Sequence, residues 1–334
     1  MKKLLAVILA SAMMVCGVSA FAADVEYPEY SWNCAMTVNE STINYMLVEK
    51  FAQLIEERSA GKIHVELYPG GQLGNDTEFM EAVLAGSIDF GTTMSSSLVD
   101  YIPQYALFDM PNLFDNVEQM RALLKSDFVD VLNEFNKKGG INMLAYSDAG
   151  FRQLSSNKPV RVLSDLAGQK IRVMTNKYHI AYWNAIGAAA TPMQFTELFM
   201  GLQQGTVDGQ ENPYMNIVGN NLQEVQKYII ETNHHGHIII FFMNNDLYES
   251  LDENTRALVD ACAADARDYA NGLADESIAS YKDTCIKAGC EIIELPAEEI
   301  AKIREKASVV YDMVRQDLGA ELVDKLLAAI NAVK

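Results

Sequence analysis

The chain has 334 residues, with 45 acidic and 26 basic side chains and a formal net charge of −19 at pH 7. Nucleic-acid binding depends on clustered cations, so this balance argues against a nucleic-acid partner. A single hydrophobic core stops growing at about 250–300 residues, so we expect two lobes.

The start of the chain has the parts of a secretory signal peptide. Lys2 and Lys3 precede an apolar run over residues 4–18, and the short stretch 20–22 suits cleavage after Ala22. The run is shorter than the roughly 20 residues that a bilayer-spanning helix needs. Cys16 lacks the preceding small residue that lipid attachment requires. We therefore predict a signal peptide over residues 1–22, no lipid anchor and a periplasmic mature protein.

Two of the four cysteines after residue 22 lie close in sequence. Cys285 and Cys290 could form a disulfide in an oxidising compartment. They are equally consistent with buried or free thiols, because their spacing on a helix does not bring the two side chains to one face. Cys34 and Cys262 have no such neighbour, and the sequence contains no CxxC pair.

Apolar periodicity predicts alternating helices and strands in the first half of the chain. Asn75 and Glu78 form a capping-box pattern at the start of one helix, and Gly86 ends that helix. The predicted helices cover 43–60, 76–85 and 116–138, and the predicted strands cover 32–36, 63–67, 88–91 and 141–146. This order is typical of βαβ units.

The second half repeats the alternation with a different sequence. The predicted strands are 170–174 and 207–211, and the predicted helices are 178–186 and 195–204. The apolar run 238–242 is typical of a buried strand that crosses between lobes, and the helical stretch 254–286 is long enough to span both. We therefore predict an α/β fold in which each lobe has a central sheet flanked by helices. Lobe I would cover 23–149 and 238–277, and lobe II would cover 150–237 and 278–334.

Two arginines lie near the ends of predicted strands. In the strand 170–174, Ile171 and Val173 face one side and Arg172 faces the other. Arg152 follows the strand 141–146. Open α/β sheets place their ligand clefts at strand ends, so the two guanidinium groups could converge there. The planar guanidinium forms two parallel hydrogen bonds with a carboxylate and keeps its charge.

Each of these features also has a structural interpretation. The arginines could be solvated, or they could pair with acidic residues such as Asp148 and Asp165. Asn212 ends the strand 207–211 and could offer its amide at the same sheet edge. It also precedes Pro213, and Asn-Pro pairs often begin turns.

Five ordered motifs resemble the solute-binding proteins of tripartite ATP-independent periplasmic (TRAP) transporters, and the resemblance extends over the whole mature chain. It implies a two-lobed periplasmic-binding-protein fold that closes on a small organic acid and delivers it to a membrane permease. The motifs are YPGGQLGND (68–76), GSIDFG (86–91), GFRQLSSNKPV (150–160), DLAGQKIRVM (165–174) and GTVDGQENP (205–213).

The resemblance also implies roles for three residues. Arg172, in the KIRV motif, would make the principal salt bridge to the ligand carboxylate. Arg152, in the GFRQ motif, would assist it, and Asn212, in the GQENP motif, would hydrogen-bond the same carboxylate.

Other candidates for the ligand pocket are less specific. Thr37 and Asn39 follow the first strand and would face the cleft, and the hydroxyl-rich segment 92–97 supplies Met94 and Ser95. This segment carries no charge, which argues against a cationic ligand and favours a sugar acid such as a uronate, with a C4-dicarboxylate as the alternative. Further candidates are the rings of Tyr214, Trp183 and His235.

Other classes of function find less support in the sequence. His235 and His237 would share a strand face and could bind zinc in a periplasmic metal-binding protein. An amino-acid receptor of another transporter class would need an acidic residue for the ligand ammonium, and the cleft segments supply only Glu211. No GxSxG, HExxH or phosphate-binding loop is present, so we expect neither an enzyme nor a cofactor. We expect a monomer.

Overall fold

The computed structural model describes residues 25–333, so the predicted signal peptide lies outside the described residues. Within them, strands and helices alternate along most of the chain. The strands are β1 (Tyr30–Ala35), β2 (Ile63–Tyr68), β3 (Phe90–Met94), β4 (Ile141–Phe151), β5 (Gln153–Ser156), β6 (Lys170–Val173), β7 (Ala189–Pro192), β8 (Gly209–Asn212), β9 (Tyr228–Glu231), β10 (Gly236–Asn244) and β11 (Glu291–Glu294). The helices are α1 (Ile43–Arg58), α2 (Asp76–Leu84), α3 (Val117–Leu123), α4 (Phe128–Lys138), α5 (Lys177–Ala185), α6 (Leu198–Gln203), α7 (Tyr214–Gly219), α8 (Asn245–Ser250), α9 (Glu253–Lys287), α10 (Ala297–Ala307), α11 (Val309–Leu318) and α12 (Ala320–Ala332).

The first sheet has the strand order β2-β1-β3-β10-β4. Strand β1 runs parallel to β2 and β3, whereas β10 runs antiparallel to β3 and β4. An aromatic cluster joins α1 to this sheet, because Phe241 of β10 lies 4.9 Å from the ring of Phe51 and 5.7 Å from the ring of Phe90. All three rings are buried, so the apolar face of α1 supplies the core on this side of the sheet.

The second sheet has the order β11-β9-β5-β8-β6-β7. Strand β6 lies between β7 and β8 and runs parallel to both, so Arg172 is placed opposite Thr191 and Gln210. Strand β5 runs antiparallel to β8 and β9. Arg172 thus projects from an interior strand of the sheet, close to its C-terminal end.

Two continuous segments connect the sheets. Strand β4 leads through Arg152 directly into β5, and β9 leads through residues 232–235 into β10. The backbone N–H of Arg152 donates to the carbonyl of His235 at 2.9 Å, so the two crossing segments are hydrogen-bonded to each other. Helix α9 has 35 residues and packs against α1, β4 and α7, elements of both lobes. The predicted fold class is confirmed.

Some predicted elements differ in the structure. The single helix predicted over 116–138 is wrong: it is divided into α3 and α4. The hydroxyl of Ser126 donates to the carbonyl of Leu123 at 2.7 Å and accepts from the backbone N–H of Phe128, so it satisfies backbone groups that a continuous helix would pair. The predicted helix 195–204 begins instead as a 3₁₀ turn over Phe195–Glu197.

Two further observations concern the cysteines and the possibility of a membrane-spanning helix. The four cysteines within residues 25–333 are unpaired and buried, and these include Cys285 and Cys290. In the same part of the chain, no helix combines the length and the apolar character that crossing a membrane requires.

Gly209 provides a test of how the second sheet is packed. A Cβ atom at this position would overlap the carbonyl oxygen of Ser155 on β5. We expect Gly209→Ala to lower the free energy of unfolding by about 1–3 kcal/mol, as overpacking typically does. Gly272→Ala is the matched control: the site is exposed inside α9 with no atom near its Cβ, and alanine should stabilise it by about 1 kcal/mol. Urea unfolding of both variants measures the difference in their free energies of unfolding. Equal urea midpoints for the two variants would contradict the close packing at Gly209.

Candidate functional site

A cleft between the two sheets contains a cavity with about 840 Å³ of empty space, including open solvent at its mouth. The first sheet and its connections contribute Thr37, Asn44, Asp76 and part of the segment 92–97 to the lining. The second sheet and its connections contribute Arg152, Arg172, Met193–Phe195, Asn212 and Asn216, and His237 of β10 completes the wall.

Arg172 is a buried cation without a counter-ion at salt-bridge distance among residues 25–333, although the charges of Glu211 and Asp76 act on it from farther away. Its side chain is 2% exposed, its Nε donates to the carbonyl of Met193 at 2.9 Å, and its guanidinium lies 5.7 Å from the centre of the Phe195 ring. Nη1 is buried and has no hydrogen-bond partner among residues 25–333. Burial lowers the pKa of Arg172 to about 10, so the side chain still carries its charge at neutral pH.

Arg152, in contrast, is paired with a carboxylate of the protein. Its Nε and Nη2 donate to the carboxylate of Glu211 at 2.5 and 2.9 Å, and Nη2 also reaches the Glu211 carbonyl. Nη1 contacts Nδ1 of His237 at 2.7 Å and the sulfur of Met94 at 3.1 Å. Although burial opposes ionisation, Arg152 holds the pKa of Glu211 well below its ordinary value, with help from His179 and His234.

His237 has a defined tautomer because of this contact. An arginine N–H can only donate, so Nδ1 of His237 must accept, and the ring proton must lie on Nε2. Burial and the neighbouring Arg152 lower the pKa of His237 well below its ordinary value, which keeps the ring neutral. His237 therefore offers one N–H at the cavity wall.

Asp76 is an acidic residue of the cavity that the sequence analysis missed. It is the first residue of α2, where Asn75 caps the helix through the predicted capping box. Thr93 donates to its carboxylate at 2.7 Å and Thr37 at 3.4 Å. Burial raises the pKa of Asp76, while Thr93 and Arg172 oppose this change. The expectation that Glu211 is the only acid near the cleft is wrong. The capping motif was the available sequence signal for Asp76, but it was interpreted only as the start of a helix.

The structure brings together five of the nine predicted site residues. Arg172, Arg152, Asn212, Thr37 and Met94 line the cavity. The other four lie outside its lining: Asn39 is exposed and hydrogen-bonds to Asn220 and Gly219, Ser95 is buried, the hydroxyl of Tyr214 donates to Glu231 at 2.9 Å, and Nε2 of His235 contacts the Asp109 carbonyl at 2.9 Å. Trp183 packs in the core against Tyr182.

Three histidines form a buried cluster behind Arg152. His234 contacts the carboxylate of Glu211 at 2.9 Å, and the rings of His179 and His235 stack 4.7 Å apart. His179 lies 3.3 Å from Asp109 and 3.6 Å from Glu211. No group of three or more histidine, cysteine or acidic residues within 25–333 has an arrangement that could hold a metal ion, so the zinc interpretation finds no support there.

Comparisons with known proteins identify the family of this chain. The family model of the bacterial extracellular solute-binding proteins, family 7 (DctP), matches residues 34–317. The chain belongs to this family. The resemblance to TRAP solute receptors is confirmed, and the family consists of binding proteins that serve transport.

Members of the DctP family that are similar to this chain are named for, or were solved with, different organic acids. The C4-dicarboxylate-binding periplasmic protein DctP of Rhodobacter capsulatus is 33% identical over 287 residues, which cover 84% of this chain and 85% of the relative. The sugar acid binding protein of Advenella mimigardefordensis, solved with galactonate, has a TM-score of 0.89 at 26% identity and covers 92% of this chain and 100% of its own. A TRAP solute-binding protein of Shewanella oneidensis, solved with succinate, has a TM-score of 0.86 at 25% identity, covering 91% and 99%.

The histidine cluster predicts how the stability of this DctP-family protein depends on pH. Burial opposes a charge on His179, but hydrogen bonds and charges from Asp109 and Glu211 prevail and raise its pKa to about 9. A raised pKa stabilises the fold fully below the ordinary value of about 6.5, and this contribution is lost as the pH rises through about 9. We expect a loss on the order of 3 kcal/mol in the free energy of unfolding between pH 6.5 and pH 9.5.

His179→Asn should flatten this part of the stability profile. His64→Asn is the matched control, since His64 lies on the surface and its side chain is 56% exposed. Denaturant unfolding at pH 6.5, 8 and 9.5 measures the profiles. An unchanged slope in His179→Asn would show that His179 is neutral in the folded protein.

Proposed function

We propose that this TRAP receptor binds a small organic acid whose carboxylate pairs with Arg172. The observation that carries the proposal is the buried guanidinium of Arg172 at the cavity wall, whose Nη1 has no hydrogen-bond partner among residues 25–333. A buried charge without a partner is costly, and a bound carboxylate would neutralise it while accepting two parallel hydrogen bonds.

Arg152 and Asn212 support the carboxylate in this proposal. The Nη1 group of Arg152 that faces Met94 is available to a ligand, because a thioether sulfur is a weak acceptor. The amide of Asn212 donates one N–H to Gln210 at 2.6 Å and has a second N–H for a ligand oxygen. Thr37 and Met94 would shape the opposite wall.

The lobes proposed to close on the ligand are residues 23–149 with 238–277, and residues 150–237 with 278–334. Contacts at the rim of the cleft support a closed arrangement. The backbone N–H of Asn39 donates to the side chain of Asn220 at 3.2 Å. A Cβ atom on Gly219 would lie 2.9 Å from the side chain of Thr42, so the two rims already touch.

We further propose that residues 1–22 direct the protein to the periplasm, where it acts as a monomer and delivers its ligand to the permease subunits of the transporter. Both C4-dicarboxylates and sugar acids are bound by proteins similar to this chain. Thermal unfolding with a panel of both classes would identify the ligand, since a concentration of about 100 times the Kd stabilises a folded protein by about 2.7 kcal/mol.

The role of Arg172 can be tested by calorimetric titration with the acid selected in this panel. Arg172→Ala leaves the ligand carboxylate buried without its partner, which costs about 2–5 kcal/mol. The affinity should therefore fall at least roughly thirtyfold, because about 1.4 kcal/mol corresponds to a factor of ten. Arg172→Lys should also bind more weakly, since an ammonium cannot form two parallel hydrogen bonds.

Arg161→Ala is the matched control for loss of one positive charge. Arg161 lies nearby in sequence, but its side chain is 58% exposed and pairs with Glu291 on the surface. This variant should bind normally. Near-normal binding by Arg172→Ala would refute the proposed anchor.

A further inference from the structure

A series of hydrogen-bonded side chains, here called the relay, runs from the interior of the second lobe to the cavity. The direction in which its hydrogen bonds are donated is set at the end far from the cavity. There, Nε2 of Gln226 donates to the backbone carbonyls of Val225 at 3.1 Å and Asp208 at 3.5 Å. Carbonyl oxygens only accept hydrogen bonds, so the amide of Gln226 has one allowed orientation. Its Oε1 must therefore accept the next hydrogen bond.

The orientation of the Gln226 amide determines which group donates in each following hydrogen bond. The hydroxyl of Ser155 donates to Oε1 of Gln226 at 2.9 Å and accepts from Nε2 of Gln210 at 2.8 Å. Oε1 of Gln210 then accepts from Nδ2 of Asn212 at 2.6 Å. These four side chains are buried, so water does not compete for the hydrogen bonds. The orientation of the Asn212 amide is thus determined by the backbone carbonyls of Val225 and Asp208, at the end of the series far from the cavity.

The series of hydrogen-bonded side chains ends at Asn216, which lines the cavity. Nδ2 of Asn216 faces Oδ1 of Asn212 at 3.4 Å, and reversing the Asn216 amide would place two acceptor oxygens against each other. Oδ1 of Asn216 is buried and has no hydrogen-bond partner among residues 25–333. A buried acceptor without a partner is unfavourable, and because Asn216 lines the cavity, a donor group of a bound ligand would supply one.

We propose that Asn216 is a specificity-determining residue that accepts a hydrogen bond from a hydroxyl group of the ligand. The ligand would then be a hydroxylated organic acid and not an unsubstituted one. Two further acceptors of the first lobe fit the same ligand, because Oδ1 of Asn44 is buried without a partner among residues 25–333 and Asp76 lines the cavity. This inference rests on the proposed function, since it assumes that Arg172 holds the carboxylate.

The donor requirement can be measured with matched pairs of acids. Malate differs from succinate by one hydroxyl group, and galactonate differs from hexanoate by five, with the carboxylates unchanged. Sites built to hydrogen-bond a hydroxyl reject the analogue that lacks it, so we expect at least a tenfold preference for the hydroxylated member of one pair. Calorimetric titration of the full mature chain gives the four affinities.

Two variants connect this preference to the relay. Asn216→Leu removes the acceptor, and the preference should fall to within about threefold, with the loss confined to the hydroxylated acid. Ser155→Ala interrupts the relay without touching the cavity and frees the amides of Gln210 and Asn212 to reverse. It should lower the preference, because reversal of Asn212 weakens the carboxylate contact of both members of a pair, whereas reversal of Asn216 weakens only the hydroxylated member. A merely structural effect would weaken both members of a pair equally.

The outcomes separate this inference from the proposed function. If no acid in the panel binds the unaltered protein, the proposed function fails. If acids bind but neither hydroxylated member is preferred, the role of Asn216 is refuted while the proposed function stands. The same conclusion follows if the preference survives in both variants. Should Asn216→Leu fail to fold, Ser155→Ala alone decides.

Discussion

The buried ion pair between Arg152 and Glu211 is the contact on which the site depends. It joins the crossing segment after β4 to strand β8, and both side chains are at most 1% exposed. A buried pair of this kind contributes little net stability, because desolvation offsets the attraction, but its removal leaves an uncompensated charge. The pair neutralises itself and also orients His237. It therefore leaves Arg172 as the cavity cation that has no counter-ion among residues 25–333.

Much of this arrangement could be predicted from the sequence, because local patterns carry it. The alternation in KIRV correctly directs Arg172 away from Ile171 and Val173, and the strand-end rule places it at the cleft. The capping box at Asn75 and Glu78 is present as predicted. Arg152 and Asn212 were candidates from their strand-end positions, which also allowed a solvated arginine and a turn, and the family resemblance implied a role for each at the ligand carboxylate.

The remaining features depend on contacts between distant parts of the chain. The tautomer of His237 is set by Arg152, 85 residues away in sequence, and no local pattern indicates it. The cleft position of Asp76 depends on how α2 meets the sheet, whereas its sequence suggests only a helix start. Asn39 follows β1 as expected, yet it contacts the opposite rim instead of the cavity. Position along a strand predicts the side of the sheet, but tertiary packing decides which neighbour a side chain meets.

The rim contacts also limit what can hold the lobes together. Asn39 makes two hydrogen bonds to the opposite rim, at 3.2 and 3.5 Å, and it is exposed to solvent, where such bonds add little. A ligand shifts the equilibrium between open and closed forms only by the difference in its affinity for the two. Arg172 lies on the second lobe and Asp76 on the first, so a ligand that contacts both gains its full interaction energy only when the lobes are closed. In the proposed mechanism, the free energy of closure would therefore come from the cavity and not from the hydrogen bonds of Asn39 at the rim, which would let the empty receptor reopen.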